Sequence, residues 1–391
     1  MVNTMITSMP VFVCGILSAL LGLNIICRWD RPRFQLLLFM LATTLIYIGH
    51  FVFFNRIVAA IPLSDTLYSF CNPAVYPLFF IYIEELVVRT PNRRRQLLYL
   101  LPACLCGISV GMLYMMMNES ETAYFVDHFI YGHDFSTLTG IVWWQVVAHL
   151  TVKIVFALEI LPVLIIGMRH ISNYNHMIEN YYSNTEDKTL SPIKLLLVLL
   201  VITSLISFVC NFIGRNYFVG SVWMIAMISF TFSVLILLIG YNGLFQNFSI
   251  ANMDEEDETP ITASDPISHD ATDRLASEIR RLMEKELLYL QPNLKINDLA
   301  MRLNTNRNYI YNAINGKIGM SFSEFVNQKR IEYAVKLMEN NPNLYLTEIT
   351  HRSGFSSESS FYRNFKMIMG CSPSEYQKKQ GRTITASTLQ K

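Results

Sequence analysis

Three ionisable side chains stand in apolar stretches that should not carry them. His149 and Lys153 lie four residues apart inside the run 141–167, and His50 lies inside the run 34–55. A helix puts the first two on one face. A lysine at the centre of a bilayer costs roughly 2.5–3.5 kcal/mol on insertion scales, so it needs compensation. The spacing therefore predicts a pocket built on His50, His149 and Lys153 that receives a small-molecule or membrane-borne signal. An interhelical polar pair is the other reading of the same residues. Glu159 falls on a different face of the run 141–167, and Glu84 and Glu85 close another apolar run with Arg89 one turn on. That last placement reads as a local ion pair.

The segment 118–140 holds another cluster. Its run DHFIYGHD gathers Asp127, His128, His133 and Asp134, and Tyr124, Phe125, Phe129, Tyr131 and Phe135 surround it. These are metal-ligand types, but their spacing fits no defined site. The rings favour a lid folded back over the helices. No metal, cofactor or catalytic residue is expected. The chain has no glycine-rich phosphate loop, nucleophile elbow, HExxH pair or kinase set, and so it does not read as an enzyme.

Seven apolar runs must position these groups: 6–27, 34–55, 64–88, 96–117, 141–167, 193–213 and 222–245. Each is long enough to cross the hydrocarbon core as a helix. The composition agrees, with 52% hydrophobic and 16% charged residues in 391. A single soluble domain carries about a quarter charged residues. Nine Lys and Arg fall in the loops after the first, third and fifth runs, and Lys194 stands at the edge of the last, against Arg56 and Arg215 in the opposite ones. The positive-inside rule then sets the amino terminus outside and the carboxy-terminal tail in the cytoplasm. Charge also divides the chain: residues 1–250 are near neutral, 251–269 carry six acids and no base, and 270–391 carry 18 bases against 12 acids. We expect a sensor domain over 1–248, an acidic flexible linker over 249–269 and a basic soluble domain over 270–391.

The tail has the punctuation of short helices. INDLAMRL, NTN and RNYIYNAIN give a helix, a tight turn and a second helix. Ser321 with Glu324 caps the longer helix that follows. The pattern then repeats, with Gly354 at a turn needing positive φ, Ser357 as cap, Phe361 and Phe365 as buried pair, and a Ser372–Glu375 capping box. Two such units, about 296–315 and 346–368, bridged by one helix, resemble the DNA-binding domain of the AraC/XylS family of bacterial transcription regulators. The motifs that carry the resemblance are LAMRLNTNRNYIYNAIN, RIEYAVKLM, GFSSESSFYRNFK and GCSPSEY.

The apolar runs and the resemblance together predict an all-α chain: a seven-helix transmembrane bundle, which resembles nothing in that family's usual soluble sensor, followed by a cytoplasmic AraC-like domain with two helix-turn-helix units. They predict a one-component transcription regulator in a bacterial cytoplasmic membrane, with double-stranded DNA, RNA polymerase and the bilayer as partners and a homodimer as a possible form. Carried over by motif, Asn308, Tyr311 and Asn312 of the first recognition helix and Glu358, Ser359, Tyr362 and Arg363 of the second face base edges. Side chains of these types can read bases, since Asn pairs with adenine, Arg pairs with guanine, and Glu accepts from cytosine. Arg307, Lys317, Arg352 and Lys366 are expected on phosphates. A membrane transporter or channel with a regulatory tail is the alternative function.

Overall fold

The computed structural model describes residues 2–132, 134, 139–213, 221–246, 248–250, 253, 269–341 and 343–379. Most of the linker expected over 249–269, together with His133, Phe135 and Arg215, lies outside these residues. Among the described residues the chain is all-α, with one isolated bridge between Tyr182 and Lys295.

The apolar half supplies α1 (Val2–Cys27), α2 (Arg31–Phe54), α3 (Ile61–Val87), α4 (Arg93–Tyr99), α5 (Leu101–Met116), α6 (Glu119–Phe125), α7 (Gly140–Tyr181), α8 (Ser191–Ile213) and α9 (Val222–Phe245). Five of them, α1, α2, α7, α8 and α9, are long and apolar enough to cross a membrane, and α4 with α5, bent by 41°, makes a sixth candidate. The remaining expected span, the third, is α3, which is 27 residues long but not in that set. It carries Asp65, Glu84 and Glu85, and it packs against α2 and α5. Of its 27 residues 18 are buried, so its polar groups face protein, the environment such groups need in an apolar bundle.

The chain divides into two compact units, Met1–Ser172 with Leu190–Ala251, and Asn173–Thr189 with Asn252–Lys391. The connection between the fifth and sixth expected spans therefore belongs to the carboxy-terminal unit. Its first part is helical, because α7 continues to Tyr181 as a 42-residue helix. About 20 residues suffice to cross a bilayer. Ile171, Tyr174, Ile178 and Tyr181 recur three and four apart, and all are buried.

The carboxy-terminal unit contains α10 (His269–Glu286), α11 (Ile296–Arg302), α12 (Arg307–Tyr311), α13 (Phe322–Asn340), α14 (Leu346–Arg352) and α15 (Glu358–Met369), with a helical closing stretch at 373–379. The expected caps are present. Ser321 Oγ accepts from the Glu324 amide while Glu324 accepts from the Ser321 amide. Ser357 Oγ accepts from the Ser360 amide, and Ser372 and Glu375 exchange the same pair of bonds. Phe361, Phe365, Ile331, Ala334 and Ile349 form one core.

Candidate nucleic-acid interface and candidate ligand cavity

In the amino-terminal unit, His149 and Lys153 line one cavity of about 100 Å³. Asp65 of α3 completes it. His149 Nε2 lies 2.7 Å from Asp65 Oδ2, and its Nδ1 lies 2.7 Å from the Gln145 carbonyl. Both ring nitrogens thus face acceptors, an arrangement that a doubly protonated imidazole satisfies. Tyr114 donates to the same carboxylate oxygen at 2.8 Å. Phe125 and Phe129 place their ring centres 5.3 and 5.7 Å from the imidazole. Those rings come from the segment after α5: Asn118 and Glu121 cap α6, and Phe125, Val126 and Phe129 are buried in the cluster with Val110, Val146 and Val152. The lid expected from the aromatic run is therefore packed into the bundle. His128 stacks on Tyr124 at 3.9 Å and bonds to its carbonyl.

His50 does not join this cluster. It lines a neighbouring cavity of about 320 Å³ with mostly apolar walls. Tyr68, Asn72, Phe156 and Ser207 line both cavities. Asp65 escaped the sequence reading because its partner lies 84 residues away. An acid one residue into an expected span was the available signal. At the other end of α3, Gln96 and Tyr99 donate to Glu84, and Gln96 also reaches Glu85.

In the carboxy-terminal unit, the two helix pairs share a turn geometry. After α11, Asn304 takes φ +47° and the Thr305 amide bonds to the Ala300 carbonyl at 3.0 Å. After α14, Gly354 takes φ +84° and the Phe355 amide bonds to the Thr350 carbonyl at 3.2 Å. A Cβ on Gly354 would also stand 2.7 Å from the Tyr289 carbonyl oxygen, so two constraints select glycine there.

The expected DNA-facing residues divide. On α15, Glu358, Ser359, Arg363 and Lys366 are exposed, and Tyr362 is half-buried with its hydroxyl 3.5 Å from Ser374. Arg352 is exposed and paired with Glu348, and Lys317 is paired with Asp273 at 2.8 Å. Around α12 the outcome differs. Tyr311 and Asn312 are half-buried, whereas Arg307 is 7% and Asn308 9% exposed. The Asn308 amide bonds to the Asn306 cap, but its buried side-chain oxygen finds no hydrogen-bond partner among the described residues.

Residues 173–189 meet both helix pairs. The Arg307 guanidinium lies 5.2 Å from the centre of the Tyr181 ring, and Asn315 donates to Asn180 at 3.0 Å. Asn184 donates to Ser356 at 2.7 Å, while Ser357 and Ser359 both donate to the Glu186 carboxylate. Between these contacts, Ser183 is held from several sides. Its amide bonds to the Leu294 carbonyl, and its carbonyl accepts from Ser323 and Asn327. Arg330, 1% exposed, reaches its hydroxyl at 3.2 Å and also donates to the carbonyls of Tyr289, Gln291 and Pro292. Burial pushes the Arg330 guanidinium down to about 10, still charged near neutrality. Sequence reasoning missed this segment. The stripe Ile171, Tyr174, Ile178, Tyr181 was the legible sign that α7 runs on.

Residues 299–379 match a family described as a helix-turn-helix domain. Over 115 residues the chain is 31% identical to the Msm operon regulatory protein of Streptococcus mutans, which covers 29% of this chain and 41% of that protein. It is 35% identical over 79 residues to the TCP pilus virulence regulatory protein of Vibrio cholerae, covering 20% of this chain and 28% of the relative. The HTH-type transcriptional activator AarP of Providencia stuartii is 26% identical over 99 residues, 24% of this chain and 73% of that protein. The chain thus spans less than half the length of the first two. No solved structure matches it.

Proposed function

With a carboxy-terminal helix-turn-helix domain of the AraC type as premise, we propose that this chain is a membrane-embedded one-component transcription regulator. The observation that supports the reading most is the coexistence, in one chain, of exposed Arg363 and Lys366 on α15 with helices apolar enough to cross a bilayer. On this reading α11–α12 and α14–α15 are the two helix-turn-helix units. Arg363 reads a guanine, Glu358 and Ser359 flank it, and Lys366 and Arg352 neutralise phosphates. Tyr311, Asn312 and Tyr362 add contacts to sugar or base from half-buried positions.

The apolar unit acts as sensor, with seven spans, the amino terminus outside and the tail in the cytoplasm of a bacterial cell. The cluster of Asp65, His149 and Lys153 receives the signal, and His50 borders the adjoining apolar cavity. RNA polymerase and a second copy of the chain are the further partners of this reading.

Footprinting of the full-length protein on duplex DNA, together with reporters fused at the carboxy terminus, tests the proposal. A protected sequence and a reporter active only in the cytoplasm are expected. A carboxy-terminal reporter active only outside overturns both the topology and the DNA reading. Lys153→Met is expected to retain the footprint while losing the transcriptional response. A normal response in that variant removes the cavity from the mechanism.

A further inference from the structure

We propose that residues 173–189 are an intramolecular brake on DNA binding, seated on the beginnings of both recognition helices. The proposal rests on the reading of α12 and α15 as DNA-binding elements. The segment engages the residues that reading assigns to DNA. Tyr181 lies over Arg307, an expected phosphate ligand, and Glu186 takes the hydroxyls of Ser357 and Ser359, the second of which is an expected base contact. A carboxylate at the start of α15 occupies ground that suits a DNA phosphate, because helix amino termini favour anions. Glu186 and Asp187 bring two acids to residues 270–391, which carry 18 bases against 12 acids. The single hydroxyl proton of Ser359 cannot go to Glu186 and to a DNA acceptor at once, and the carboxylate repels a phosphate, so the two compete for the same ground.

The flanks reach residues at and before the recognition helices: Tyr181 at Arg307, Asn184 at Ser356, and Glu186 at Ser357 and Ser359. Ser183, by contrast, is held by Leu294, Ser323, Asn327 and Arg330. The segment therefore has a fixed middle and two lifting flanks, 180–181 and 184–187. Tyr181 is the last residue of α7, the helix that also carries His149 and Lys153.

The full-length protein in detergent micelles is titrated with a fluorescent duplex enriched from a random-sequence pool on the wild-type protein. Glu186→Ala removes the carboxylate and no part of a recognition helix. It is expected to tighten binding about tenfold, the scale of one charge-assisted hydrogen bond. In a second arm, Asn184→Cys and Ser356→Cys are joined by oxidation after Cys27 and Cys371 are replaced by Ser. The joined protein should lose binding, and reductant should restore it. Equal affinity of Glu186→Ala and wild type overturns the brake, as does full binding by the joined form or failure of the pair to oxidise. Absence of duplex binding in every form overturns instead the DNA reading beneath it.

Discussion

The two helix pairs of the carboxy-terminal unit use one turn and two kinds of second helix. The turns match in their hydrogen bonds and in the left-handed residue at their centre, Asn304 in one and Gly354 in the other. The helices that follow do not match. α15 runs regularly for 12 residues with a serine cap and an exposed basic face. α12 lasts five residues, widens into a π-helical stretch over Asn312–Ile318, and has Arg307 and Asn308 buried at its start. A shared turn thus fixes where a helix begins, and the neighbours it meets decide what the helix offers. The first pair meets Asn180 and Tyr181 along its recognition helix, whereas the second meets Glu186 only at the helix start.

The largest effect that would sharpen this contrast is expected at the turns. Gly354→Val combines a strained φ with a clash against the Tyr289–Leu290 backbone, and should cost about 4 kcal/mol or more. Asn304→Ala should cost only about 1 kcal/mol, since only the left-handed preference is lost. Limited proteolysis of the carboxy-terminal unit across a urea series measures both. Equal losses would erase the distinction between the turns.

Next comes Arg330→Met, which leaves buried carbonyls at Tyr289, Gln291 and Pro292 without their donor. A loss of about 3 kcal/mol is expected in the same assay, with protection lost in 173–189 as well as in α13.

DNA binding then separates the two helices. Arg363→Ala should lose about 2 kcal/mol and relax specificity at one base position, and Lys366→Ala should weaken all sequences and lower the salt slope by about 1. Asn312→Ala, on the half-buried helix, should change affinity by less than Arg363→Ala. The reverse order would make α12 the principal reader. The smallest effect is that of Ser357→Ala, about 1 kcal/mol of stability from the lost cap, read by hydrogen exchange at the α15 start.

Much of this was legible because it is local. Capping pairs three residues apart, the turn at Gly354 and the Phe361–Phe365 pair need only short-range rules, and all of them hold in the structure. Apolar runs likewise announced their helices. What escaped depends on contacts far apart in the chain. Asp65 gains meaning only beside His149, and Arg307, an expected phosphate ligand, is buried with the Tyr181 ring centre 5.2 Å from its guanidinium. The fate of 173–189 was hidden for the same reason: charge counting sees a connection between spans, while Ser183 is fixed by Arg330, 147 residues later.

That last bond has a consequence for the order in which the protein is made. The carboxy-terminal unit is split in sequence, and α8 and α9 of the other unit are spliced into its middle. A ribosome releases 173–189 first, then two strongly apolar helices, and only afterwards the partners Asn327 and Arg330. With α8 and α9 crossing the bilayer as proposed, the two pieces meet on one side only if that hairpin inserts as a pair. One failed crossing would strand the tail on the wrong face, away from the segment that fills its Arg330 site. Maturation of the DNA-binding unit would thereby report on correct membrane insertion, and a mis-inserted chain would present an incomplete domain to proteases rather than an unregulated one to the chromosome.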